Sequence, residues 1–238
     1  VSSQKLPVFF LSHGGGPWPW IDDMKSHFAT TYVELQKLGK IYCPKAVLVI
    51  SGHWEESSFK VSSSSSPDLA KRVRDLLQQN GIQVNEDSSR GFDHGTFVPL
   101  SLIFPEANIP IFQLSLKQSL DPAEHVRLGA CLEPLRQEGI FIIASGLSYH
   151  NLRSFFKGGG PVSEIFEKLL TQTVESNPEI RNQRLVHWSE APKAREAHPR
   201  EDHLIPLMVA AAAAGNDIGK RFILDKAFDV SMASYQFG

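Results

Sequence analysis

Cysteine is almost missing from this chain: Cys43 and Cys131 are the two thiols in 238 residues. Two cysteines in apolar surroundings make no disulfide framework, and they read as reduced, buried residues of a cytoplasmic protein. Excess charge is missing as well. Lys plus Arg number 24 against 26 Asp plus Glu, a formal net charge of -2, which offers no electrostatic hold on nucleic acid or on an anionic membrane. No apolar stretch reaches the ~18–20 residues of a membrane span. The best candidate, Leu204–Ala214, reads as a buried helix. The first residues lack the basic-then-apolar pattern of a secretory leader. The glycine triplet Gly14-Gly15-Gly16 lacks the Lys-Ser/Thr of a phosphate-binding loop and the spacing of a dinucleotide fingerprint.

The remaining pattern is that of an α/β protein. Apolar runs predict strands at Pro7–Leu11, Ala46–Ser51, Phe59–Ser62, Ile109–Leu116, Gly139–Ser145 and Val230–Tyr235. Helical spacing lies between them, at Asp22–Leu38, Pro67–Gln79, Pro122–Gln137, Glu164–Glu175 and Leu204–Ala214. Ser66-Pro67 and Asp121-Pro122 have the form of helix starts, a cap followed by proline in the first turn. Strands alternating with helices imply a mostly parallel central sheet flanked by helices on both faces. With no internal repeat and no linker, residues 1–238 are expected to form a single catalytic domain, long enough to bury about 70–75% of its unfolded surface. The run Ser62–Ser66 is expected to be a mobile, solvated loop, a plain surface connection in the first place and a border of the active site in the second.

Nine histidines are present, and position separates them. His13 follows the first strand, in "FFLSHGGGPW". His53 follows the second, in "VLVISGHWEE". His150 follows a third, in "IFIIASGLSYHNL". In a parallel sheet, residues just past the C-terminal strand ends converge on one crevice, where ligands bind. His94 lies in a Gly-flanked loop, "GFDHGTFVPL", and His203 lies before the apolar helix, in "PREDHLIPL". His27, His125, His187 and His198 sit in polar, helical or loop contexts and read as structural. Imidazoles are the commonest ligands of zinc, iron, copper and nickel. Three of them with an open coordination position make a catalytic site. Gly14 and Gly15 beside one ligand leave room for substrate.

Five motifs resemble, in order, those of the class III extradiol ring-cleavage dioxygenases, in the branch of DOPA 4,5-dioxygenase-like proteins. They are "SHGGGP" at 12–17, "SGHWEE" at 51–56, "DHGTFVPL" at 93–100, "ASGLSYHNL" at 144–152 and "EDHLIPL" at 201–207. The ending "SMASYQFG" is similar too. The resemblance implies metal ligation by His13, His53 and His203, with His150 as the acid–base residue beside the metal or as a fourth ligand. It implies substrate contacts from His94, Gly14 and Gly15, and Fe(II) as the active metal with Zn(II) as an occupant of the same site. Tyr149 and Trp18 are candidates for walls around the ring. The implied partners are a small aromatic diol and dioxygen. The chain departs from the family pattern in two ways. Family members usually carry an aromatic- and proline-rich insertion where this chain has only Ser62–Ser66. Better-known relatives use a carboxylate as third ligand where this branch has His203, which makes Glu201 and Asp202 substitute candidates. Two other functions fit the same histidines: a zinc-dependent hydrolase with His150 or Glu55 activating water, and a non-catalytic binding protein that keeps the metal pocket.

Overall fold

The computed structural model describes residues 5–238. The chain opens with β1 (Val8–Ser12), α1 (Asp22–His27), α2 (Ala29–Ile41), β2 (Ala46–Glu56) and β3 (Phe59–Ser62). It continues with α3 (Pro67–Gln79), β4 (Val84–Asp87), α4 (His94–Ile103), β5 (Ile111–Lys117), α5 (Pro122–Leu132) and β6 (Ile140–Gly146). It closes with α6 (Gly160–Val174), α7 (Pro178–Val186), α8 (Ala194–Ala197), α9 (Ile205–Ala213), β7 (Gly219–Ala227) and β8 (Val230–Phe237).

The strands form one sheet in the order β4-β3-β5-β2-β6-β1-β8-β7. Its centre, β5-β2-β6-β1, is parallel. β3 runs antiparallel to β5, while β8 and β7 complete the other edge antiparallel. The central strands are continuous apolar runs because both of their faces are covered. Every residue of β1 and β6 is buried. α4 and α9 both pack on β2 and β6, from opposite sides of strands buried on both faces. α9, Ile-Pro-Leu-Met-Val followed by alanines, is buried along its whole length. A helix apolar all round has no face to give to water. Buried arginines satisfy carbonyls at its C-terminal end. Arg181 donates to Ala211 O at 2.6 Å and Arg136 to Ala214 O at 2.7 Å, where unpaired carbonyls and the helix dipole favour a cation.

Several expectations are corrected. The segment Asp22–Leu38 is two helices, because Phe28 leaves the helical region (φ -122) to bury its ring against Trp18. Asp121 caps α5 through Ala123 N and Glu124 N, whereas Ser66 makes no side-chain cap. The serine run is tied down: Ser62 Oγ accepts from Gln113 N, and Ser65 Oγ donates to Ile111 O. Because β3 is antiparallel to β5, this run lies at the N-terminal end of β5, away from the edge that carries the histidines. The thiols are less buried than expected, Cys43 being exposed and Cys131 partly buried, and both are free. No helix among the described residues is long and apolar enough to cross a membrane.

Candidate metal centre

β1 and β6 pair in parallel through Ser12↔Gly146, so both chains leave the sheet at the same edge. His13 is the next residue after β1. β2 pairs with β6 as far as Ser51↔Ser145 and shifts register against β5 between Ile50 and Glu55, carrying His53 to that edge. The third element is not a strand. Leu147 N, just past β6, donates to His203 O at 3.0 Å and pins the segment before α9 against the strand ends. Gly146 must be glycine there, since a Cβ would sit 2.1 Å from His203 O.

Three Nε2 atoms therefore converge. His53 Nε2 lies 3.1 Å from His13 Nε2 and 3.3 Å from His203 Nε2. Nitrogens about 2.0–2.1 Å from a common ion stand roughly 3.0–3.4 Å apart, so this spacing suits a metal. The hydrogen bonds agree with that role. Ser145 Oγ gives its proton to Gly95 O, so it accepts from His13 Nδ1 at 2.9 Å. Asp202 Oδ2 accepts from His203 Nδ1 at 2.7 Å. Each assignment places the ring proton on Nδ1 and leaves the Nε2 lone pair free for a cation. Burial, then the neighbouring His203 and His53 rings, holds the His13 pKa well below its ordinary value. Burial and the rings of His203 and His94 push His53 down to about 4. Burial lowers His203 too, against the opposing hydrogen bond to Asp202. The rings are thus neutral near pH 7, the state in which imidazole binds metals.

The other two histidines join the cluster. His94 opens α4 with its ring centroid 4.0 Å from that of His53 and 5.4 Å from that of His13. Its position follows from Asp93, whose carboxylate accepts from Ser51 Oγ at 2.7 Å and Arg90 Nη2 at 3.0 Å. Gly95 allows the close approach, since a Cβ would lie 2.7 Å from Ser51 Oγ. His150 is held by Ala197 O, which accepts its backbone N–H at 3.0 Å. Its ring lies 3.6 Å from that of His203, centroid to centroid. Among the described residues, two sets of three groups have ligand atoms within 4.8 Å of one another: His13, His53 and His94, and His150, Asp202 and His203.

The remaining candidates divide. Gly14 (φ +70) needs to be glycine, since a Cβ would meet the Trp18 ring at 2.6 Å, while Gly15 faces open space. Both border a small apolar cavity of about 110 Å³ between Phe28, Leu147, Phe155 and Phe228. Trp18 is fully buried and donates from Nε1 to His13 O at 2.7 Å, so it fixes the ligand's backbone. Tyr149 is buried with its hydroxyl on Ser154 Oγ at 2.7 Å. Glu55 is engaged by Arg200 at 2.6 and 2.5 Å, which removes it from the role of a free base. Asp202 faces His203 as a hydrogen-bond acceptor, and Glu201 pairs with Arg195. The residues that sequence reasoning missed are Ser145, Asp93 and Arg200. Ser145 had a signal, a lone hydroxyl at the end of an apolar strand.

Comparison with known proteins finds relatives over nearly the whole chain. The family described as the catalytic LigB subunit of aromatic ring-opening dioxygenase matches residues 56–234, a span that includes His94, His150 and His203. A 4,5-DOPA dioxygenase extradiol of Beta vulgaris is 36% identical over 261 residues, covering 96% of this chain and 94% of the relative. That alignment is longer than this whole chain, so the relative carries residues with no counterpart here. Dioxygenase tasH of Hapsidospora irregularis is 31% identical, covering 98% of this chain and 85% of the relative. Among solved structures, an uncharacterized protein, JW3007 of Escherichia coli K12, superposes with a TM-score of 0.83 at 29% identity, over 98% of this chain and 100% of that one. With the family matching most of the chain and curated relatives aligned over nearly all of it, the chain belongs to the extradiol ring-opening dioxygenases of the LigB family, in the branch of the 4,5-DOPA dioxygenases.

Proposed function

We propose that this chain, acting as one catalytic domain over residues 1–238, opens the ring of a catechol-type substrate with dioxygen. The ring opens beside, not between, the two hydroxylated carbons. His13, His53 and His203 hold the metal. The observation that carries this reading is the convergence of their Nε2 atoms at 3.1 and 3.3 Å, with Nδ1 of His13 and of His203 engaged elsewhere. When bound, Fe(II) supplies the electron transfer between a catecholate and dioxygen that no side chain here can provide.

The chain's own residues do the rest. Three neutral imidazoles leave the cation's charge uncompensated, a donor set that favours a dianionic catecholate and also suits Zn(II). His150 takes the substrate hydroxyl proton at Nε2, since Nδ1 faces Asp202 at 3.7 Å, and returns it later in the reaction. His94, against His53 and His13, donates a hydrogen bond to substrate. Gly15 leaves space for the ring beside the metal, and the apolar cavity next to it accepts part of the ring's substituent. The names of the relatives make DOPA a first substrate to test.

The test is loading with Fe(II) without oxygen, then addition of DOPA, caffeate or protocatechuate in air. Oxygen consumption with a yellow semialdehyde product is the expected result; no uptake across a broad catechol panel overturns the reading. His150→Ala is expected to keep the metal and lose about 10²–10⁴-fold in kcat. Loss of the metal as well makes His150 a ligand instead.

A further inference from the structure

Asp202 has two carboxylate oxygens in different situations. Oδ2 accepts from Nδ1 of His203 at 2.7 Å. Oδ1 is buried with no hydrogen-bond partner among the described residues. It points to Nδ1 of His150, 3.7 Å away, and the rings of His150 and His203 lie side by side, 30° apart in plane. The carboxylate is itself held in place. Arg200 lies 3.5 Å from Asp202 and grips Glu55, which stands two residues past His53 in β2. A buried carboxylate oxygen without a donor is costly unless one arrives. Catalytic hydrogen bonds are often long in the absence of substrate and tighten in the complex.

The geometry points to Asp202 as the positioning residue of His150: its free Oδ1 takes the Nδ1–H of that ring when substrate binds, and so leaves the Nε2 lone pair as the proton acceptor. This rests on the role of His150 proposed above. The proton moves from a substrate hydroxyl to Nε2, and the resulting imidazolium stays beside the Asp202 carboxylate. The same group thus serves a metal ligand with one oxygen and the acid–base ring with the other.

Asp202→Asn separates this role from a merely structural one. With metal bound at Nε2 of His203, the proton of that ring stays on Nδ1, so the amide oxygen of the variant must face His203. Its NH₂ then faces His150 Nδ1, which must accept, and Nε2 becomes protonated. At saturating Fe(II), kcat is expected to fall about 10²-fold or more, with KM within about threefold of wild type. Metal affinity, read by chelator competition, is expected to fall no more than about tenfold, since one hydrogen bond to the ligand survives. A kcat at metal saturation within about threefold of wild type overturns the proposal. A second measurement needs neither the variant nor turnover. Nitrogen NMR of the zinc-loaded wild type with bound 4-nitrocatechol is expected to report Nδ1 of His150 protonated, as the Nδ1–H tautomer or as the imidazolium formed once Nε2 has taken the catechol proton, and the neutral Nε2–H tautomer overturns the proposal. If the wild type consumes no oxygen with any catechol, the ring-opening reading fails, while the tautomer still decides whether Asp202 holds this ring.

Discussion

His198 shows how burial governs an imidazole. It is fully buried against Phe166 and Trp188 and donates from Nε2 to Ser148 O at 3.0 Å, with no partner for Nδ1 among the described residues. Burial pushes it down to about 3, so it stays neutral while the unfolded chain's histidine protonates near 6.5. In that window the unfolded state binds more protons, so stability is lost as pH falls below about 6.5. Between pH 7.5 and 5.0, His198 alone removes about 2 kcal/mol. His125 acts in the same direction, since burial lowers it while Lys117 N and Asp121 O occupy both ring nitrogens. Replacing His198→Gln is expected to shrink the pH 7.5-to-5.0 difference in urea unfolding free energy by about that 2 kcal/mol. An unchanged difference would mean that the ring does not remain neutral in the fold. Both residues read as polar-context histidines in the sequence. Their burial comes from neighbours distant along the chain, which no local pattern announces.

Among elements, α9 and its partner α5 pack with no room for an added methyl. A Cβ at Gly129 in α5 would lie 2.3 Å from Val209 O and 2.9 Å from Ala212 Cβ in α9. On an exposed helix, Gly→Ala gains about 1 kcal/mol. Here the added methyl meets backbone that cannot yield, and Gly129→Ala is expected to destabilise by about 1–3 kcal/mol in urea unfolding. A net gain would show that the two helices can part without cost. The same scale explains the unforeseen elements. α4 has no amphipathic period, since it is apolar nearly all round and contains Gly95 and Pro99. β4, Val-Asn-Glu-Asp, is an edge strand with one buried residue, so it lacks the alternation by which strands are recognised. β7 buries Asp225, whose carboxylate accepts from Thr30 N and Thr31 N at the start of α2. A carboxylate inside a strand reads as loop until that partner is known.

At the scale of the molecule, the proposed ligands come from β1, from β2 and from the segment before α9, 190 positions from His13. The unfolded chain holds no such cluster, so metal binding is coupled to folding. Zinc at 100 times its dissociation constant is expected to add about 2.7 kcal/mol to stability, seen as a rise in the urea midpoint that a chelator reverses. His53→Ala is expected to remove that increment. An equal rise in the variant would place the ion elsewhere.

The α/β class, the central parallel strands and the motifs of the ring-opening family were legible in the sequence because they are local. A buried parallel strand is a continuous apolar run, and a histidine at its end is a neighbour in the chain. His203 stood out by its place before an apolar helix, but its role as a ligand was readable only by resemblance, since no strand delivers it. What tertiary structure alone decided is which way each imidazole faces and what holds it there. Ser145, Asp202, Trp18 and Arg200 reach their partners through pairing between β1, β2 and β6 and through the docking of the segment before α9 on Gly146. Ring orientation depends on hydrogen bonds between residues far apart in the chain, and spacing along one sequence carries no record of them.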